Sequence, residues 1–142
     1  MKEKEVKRVA LRLLSIKSYS SLELRKKLNL RGFSEEEINW VIGECVRLGF
    51  LNDQEESKRR TERFKRRGYG PLLIAFKMKG TGLKETRLSS AEQIEAMLQL
   101  LKKEAWKKKD RTKKMAALQR RGFDMQCILA VISSSPLYNP ND

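Results

Sequence analysis

Histidine does not occur in the 142 residues, so imidazole general-base catalysis, Ser-His-Asp triads and histidine-ligated metals are excluded. Cysteine occurs only twice, as Cys45 and Cys127, each inside an apolar run and without a CxxC spacing. Both are expected to be buried, reduced thiols of an intracellular protein, not a disulfide or a nucleophile. Long hydrophobic runs are missing: the longest, Cys127 to Ile132, is far short of a membrane span. The opening "MKEKEVKRVALRLLS" alternates charge with apolar residues and lacks the features of a secretory leader. A cytoplasmic location without a membrane partner is therefore expected. Period-two runs of β-branched residues are absent too, which removes the strand signal. Paired acids occur only in capping sequences such as Glu35-Glu36-Glu37, and "GTGLK" is too short for a phosphate-cradling loop. No enzyme, cofactor or metal site is expected.

What is present is helical periodicity. Val6, Val9, Ala10, Leu13 and Leu14 form one apolar stripe and predict a first helix to about Ile16. Ser20 and Glu23 have the spacing of a capping box, followed by a stripe of Leu24 and Leu28 that Gly32 stops. Ser34 and Glu37 repeat the box ahead of Ile38, Val41, Ile42, Cys45 and Val46, and Gly49 ends that helix. A basic helical stretch to Arg67 follows. Pro71 then suits the first turn of a helix carrying Leu72, Leu73, Ala75, Phe76 and Met78. A further helix is predicted between Ala91 and Trp106, with Ile94, Met97, Leu98 and Leu101 inward.

The stretch "LNLRGFSEEEINWVI" near the front returns near the end as "LQRRGFDMQCILAVI". The shared Leu, Gly-Phe, Ile and Val-Ile are read as a helix end, a corner and the next helix's buried face, and only the shared Arg is unexplained. Setting Gly82 over Gly32 also aligns Leu83 with Phe33, Leu88 with Ile38 and Met78 with Leu28. The pattern predicts an all-α chain of tandem three-helix repeats, an elongated and curved array, over residues 1–52, 53–92 and 93–133. A disordered tail is expected over 134–142.

The formal net charge is +14, and it is local. Residues 57–80 carry 9 positive and 1 negative groups and residues 102–121 carry 10 and 2, whereas residues 1–56 carry 11 and 10. Such a surplus favours polyanions or acidic proteins as partners. Arg59, Arg60, Arg63, Arg66, Arg67, Lys107, Lys108, Lys109, Arg111, Lys113 and Lys114 are the candidate contacts, acting as cations only. Phe64, Tyr69 and Trp106 lie beside them and could stack on bases. Core packing is the favoured reading of these aromatics.

Together these residues resemble the RecX family of bacterial regulatory proteins. The resemblance rests on Ser21, Leu22, Leu24, Leu28, Gly32, Phe33 and Ile38, then the closing Gly49-Phe50-Leu51-Asn52-Asp53. Gly70-Pro71, Phe76 or Met78, Lys79 and Gly82-Leu83 extend it through the middle, and it covers Ala10 to about Ile132. The chain departs where family members place Phe-Ala after the Asn-Asp corner and this one has Glu56-Ser57. The resemblance implies a non-enzymatic, monomeric modulator of RecA, the recombinase that polymerises on single-stranded DNA. Such a protein lies in the filament groove and limits filament activity, in the setting of DNA repair, recombination and the SOS response. Binding to single-stranded or duplex DNA would be weak or confined to the filament. Two rivals rest on charge alone: a basic helical nucleic-acid-binding protein that acts without RecA, and a scaffold for an acidic protein.

Overall fold

The computed structural model describes residues 3–84 and 86–134. Every element among them is a helix: α1 (Glu3–Ile16), α2 (Ser21–Leu30), α3 (Glu35–Arg47), α4 (Asp53–Arg66), α5 (Pro71–Met78), α6 (Ser90–Leu101), α7 (Glu104–Lys107), α8 (Arg111–Arg120) and α9 (Met125–Ser134). No described helix is long and apolar enough to cross a membrane. The chain divides into two compact units, Met1–Arg59 with Met78–Lys84, and Arg60–Lys77 with Glu85–Asp142. The tail expected over 134–142 lies outside the described residues, Ser134 excepted.

In the first unit, α1 to α3 enclose one core. Val6, Val9, Ala10 and Leu13 of α1 meet Leu24 and Leu28 of α2 and Ile38, Val41, Ile42 and Cys45 of α3, with Tyr19 and Leu51 completing it. Each buried large apolar side chain contributes roughly 1.5–3 kcal/mol relative to exposure. Both capping boxes form: Ser20 accepts from the Glu23 amide and Ser34 from the Glu37 amide, while each Glu bonds back to the cap amide. The echoed Leu-x-x-Arg-Gly-Phe is a helix C-terminus. The amide of Phe33 donates to the Leu28 carbonyl and that of Gly32 to the Asn29 carbonyl, with Gly32 at φ +86°. These are the two bonds of a Schellman ending. Phe123, Gly122, Leu118 and Gln119 repeat them in the second unit. The same pair of bonds also closes α3 at Gly49-Phe50 and α4 at Gly68-Tyr69.

The departure at Glu56 and Ser57 is buried rather than exposed. The Ser57 hydroxyl donates to the Lys84 carbonyl, and Glu56 pairs with Arg59 at 2.6 Å. A polar residue in this position requires such partners, because an unmade buried hydrogen bond costs about 1–3 kcal/mol.

In the second unit, Met97, Leu100 and Leu101 of α6, Trp106 of α7, Ala117 and Leu118 of α8 and Cys127, Ile128, Val131 and Ile132 of α9 form the core around Phe123. Gln93 is fully buried and joins α6 to the start of α9: its Nε2 donates to Asp124 Oδ2 at 2.9 Å and its Oε1 accepts from the Asp124 amide at 3.0 Å. The helix predicted from Ala91 to Trp106 is interrupted. Lys102 caps α6 and Lys103 is extended before α7 begins. On one straight helix Trp106 would stand about 140° round from Leu101, away from the core that the break lets it enter. Leu88 is buried, but in a non-helical segment, and α6 runs through residues 92 and 93, the boundary that the repeat pattern sets.

Candidate functional site

The two basic segments, distant in sequence, meet backbone to backbone in the second unit. The Gly70 amide donates to the Arg121 carbonyl at 2.7 Å, and the Leu72 amide to the Gly122 carbonyl at 2.9 Å. Glycine is required on both sides of this seam. A Cβ on Gly70 would stand 2.4 Å from the Phe123 nitrogen, and one on Gly122 would stand 2.3 Å from the Leu73 nitrogen. Arg121 fastens the seam from above. Its Nη1 donates to the carbonyl of Arg67 at 2.9 Å and lies 3.4 Å from that of Gly68. These carbonyls directly follow α4, at the helix's C-terminal end, where backbone oxygens without helical partners attract cations.

Aromatic rings beside the seam carry cations on their faces. Arg121 and Lys109 lie 5.5 and 5.8 Å from the centre of the Trp106 ring. Arg63 lies 5.6 Å from Phe64, which stacks on Tyr69 at 5.9 Å, and Lys77 lies 5.7 Å from Tyr69. Phe64 and Trp106 are buried and Tyr69 half-buried. These rings orient cations, a cation–π role, and the two buried ones present no open face to a base.

Ten of the eleven candidate cations fall in the second unit, and Arg59 falls in the first. Arg59, Arg63, Arg66, Arg67, Lys107, Lys108, Arg111 and Lys113 are exposed, and Arg60 and Lys109 are half-buried. Arg59 and Lys107 have acidic partners one turn away, Glu56 and Glu104. Lys114 is only 8% exposed. It stands three and four residues before Ala117 and Leu118, on the inward face of α8, a spacing that the sequence already contains. Cations outside the candidate set belong to the same unit too, among them Arg121 at the seam, Lys77 on Tyr69, and Lys103.

Lys103 lines a cleft of about 540 Å³ with Arg66, Arg67, Gly68 and Leu100. Glu62, Glu92 and Glu95 line it as well. Lys65 bonds Glu92 at 2.7 Å. That bond, with the Ser89 amide and hydroxyl, holds the Glu92 carboxyl well below its ordinary range, at about 2, and raises the Lys65 ammonium. Lys65 is thus neutralised internally by Glu92. Burial pushes the Cys45 thiol up, and both cysteines are free and buried. An inert core role follows for Cys45.

Residues 7–45 match the family model described as "RecX, first three-helix domain". Regulatory protein RecX of Pelodictyon phaeoclathratiforme is 31% identical over 134 residues, which cover 87% of this chain and 84% of that protein. Regulatory protein RecX of Legionella pneumophila is 38% identical over 74 residues, 52% of this chain; the match spans about half of that relative, 49%. The crystal structure of RecX from Lactobacillus salivarius has the same fold, with a TM-score of 0.79 at 19% identity over 92% of this chain and 94% of that one. By the length and identity of its match to the Pelodictyon protein, the chain belongs to the RecX family of regulatory proteins.

Proposed function

We propose that this protein binds the RecA–DNA filament and limits RecA's ATPase and recombinase activity, without catalysis of its own and as a monomer in the cytoplasm. The carrying observation is the seam at Gly70, Arg121 and Gly122, which gathers two basic segments on one unit. A regulator of a nucleoprotein polymer has to meet acidic protein and DNA phosphates together, and cations serve both. The proposal includes the architecture: three copies of one module, the middle one built around α4 and α5. The eleven candidate cations are its contacts, Lys114 contributing least.

The test is RecA's DNA-dependent ATPase titrated with this protein. Inhibition at a few-fold excess is expected, and no effect at any ratio would remove the proposal. Reversing Arg63, Arg66 and Arg67, or Lys107, Lys108 and Lys113, to Glu is expected to weaken it. The second reading, DNA binding without RecA, draws on the same clustered charge. It requires tight binding to bare DNA that falls roughly a thousandfold or more between low and moderate salt.

A further inference from the structure

Cations explain attraction to a polyanion, but α5 carries something they do not. Leu72 is 60% exposed and Phe76 is 73% exposed, one helical turn apart and so on one face. The other side of the same helix is buried through Ile74. The exposed face is held rigidly, because the Leu72 amide is bonded to Gly122 and Pro71 fixes the first turn. Lys77 follows Phe76 directly with Lys79 close behind, and the Leu72 amide bonds Gly122, the residue after Arg121, so cations flank both anchors. Two large apolar side chains at i and i+4 on an ordered helix are the anchors of helix-in-groove recognition.

We infer that Leu72 and Phe76 are the apolar anchors of a protein-docking face, whose partner is an apolar groove rimmed by acidic side chains. The charge around them selects this occupant. A second copy of the chain would bring two like-charged segments together, which costs affinity. A nucleic-acid strand would use Phe76 for stacking, yet aliphatic Leu72 offers a base no π-face. An acidic-rimmed groove satisfies both the anchors and the cations. This inference rests on the filament reading and assigns the two partners of that filament to different residues: protein to Leu72 and Phe76, phosphates to the arginines and lysines.

The experiment compares wild type, Leu72→Ala, Phe76→Ala and Phe76→Leu, with folding checked by circular dichroism. Two probes are used: bare oligo(dT), and RecA assembled on the same oligo(dT) with a non-hydrolysable ATP analogue. Phe76→Ala is expected to weaken filament binding roughly tenfold or more, as an anchor commonly does, with Phe76→Leu close to wild type and bare oligo(dT) affinity within about twofold. Unchanged filament binding in both Ala variants overturns the docking face alone, and parallel loss on bare oligo(dT) replaces it with base stacking. Sedimentation showing a dimer that Phe76→Ala dissociates would replace it with self-association. If wild type fails to bind the filament, the filament reading falls and this inference with it.

Discussion

Arg121 Nη1 donates to the Arg67 carbonyl at 2.9 Å, 54 residues back along the chain, while its guanidinium lies 5.5 Å from the Trp106 ring centre. Arg31 holds the equivalent letter of the echoed Arg-Gly-Phe but is exposed beside Glu5, Glu36 and Glu37. One letter therefore does different things at the two places. Arg121→Ala is expected to lower stability by about 1–2 kcal/mol, from a charge-assisted hydrogen bond and a cation–π contact, both partly solvated. Arg31→Ala should stay within about 0.5 kcal/mol. Urea unfolding midpoints of the two variants check this, and equal shifts would contradict it.

The difference between these arginines marks the limit of what the sequence reveals. Capping boxes at Ser20 and Ser34 are legible because a hydroxyl and a Glu three residues on suffice to make them. Ser89 and Glu92 have the same spacing and also form a box, so α6 starts at Ser90, one residue before the Ala91 that the apolar spacing suggests. Lys114 was readable as inward from Ala117 and Leu118, whereas counting charge alone places it outside. The Gly70–Gly122 seam was not readable, since nothing local to either glycine says that another backbone lies against it. The break after Leu101 is likewise tertiary, set by where Trp106 has to go.

The seam gives the sharpest expectation for stability. Gly70→Ala would force a methyl into the peptide of Gly122 and Phe123, where Cβ distances of 2.4 to 2.6 Å leave only backbone to move. A loss of about 3–5 kcal/mol is expected, in the range of severe steric defects with two backbone hydrogen bonds at risk. Gly32→Ala meets nothing within 4 Å. Its cost should be only that of a left-handed φ, about 1–2 kcal/mol. Denaturant titration of both should separate them clearly, and a mild Gly70→Ala would mean the seam is not tightly closed.

Acid should weaken the α4 to α6 tie within the second unit. Glu92 has its carboxyl held down from an ordinary 4.5 to about 2, chiefly by Lys65. A carboxylate whose folded pKa is depressed contributes stability that is fully present above its unfolded pKa. That contribution is lost as pH falls from about 4.5 towards about 2. Glu92→Gln should therefore differ from wild type in urea midpoint at pH 7, and the difference should shrink by about half at pH 3 and have largely closed by about pH 2. A gap undiminished at pH 2 would assign the effect to the cap geometry of Ser89 instead of to the charge.

Two serines with the same local role provide a control on burial. Ser34 accepts from Glu37 at 3.1 Å and is exposed; Ser34→Ala removes a cap and should cost about 0.5–1 kcal/mol. Ser20 accepts from Glu23 at the same 3.1 Å, but it is fully buried and its hydroxyl also donates to the Thr81 carbonyl. Ser20→Ala leaves that carbonyl without its donor as well, which adds about 1–3 kcal/mol for an unsatisfied buried group. The expected total is about 2–4 kcal/mol. Because Thr81 sits between α5 and α6, hydrogen exchange should show faster opening of residues 79–84 in Ser20→Ala and no change there in Ser34→Ala. Equal exchange in the two variants would mean that Ser20 acts as a cap and nothing more.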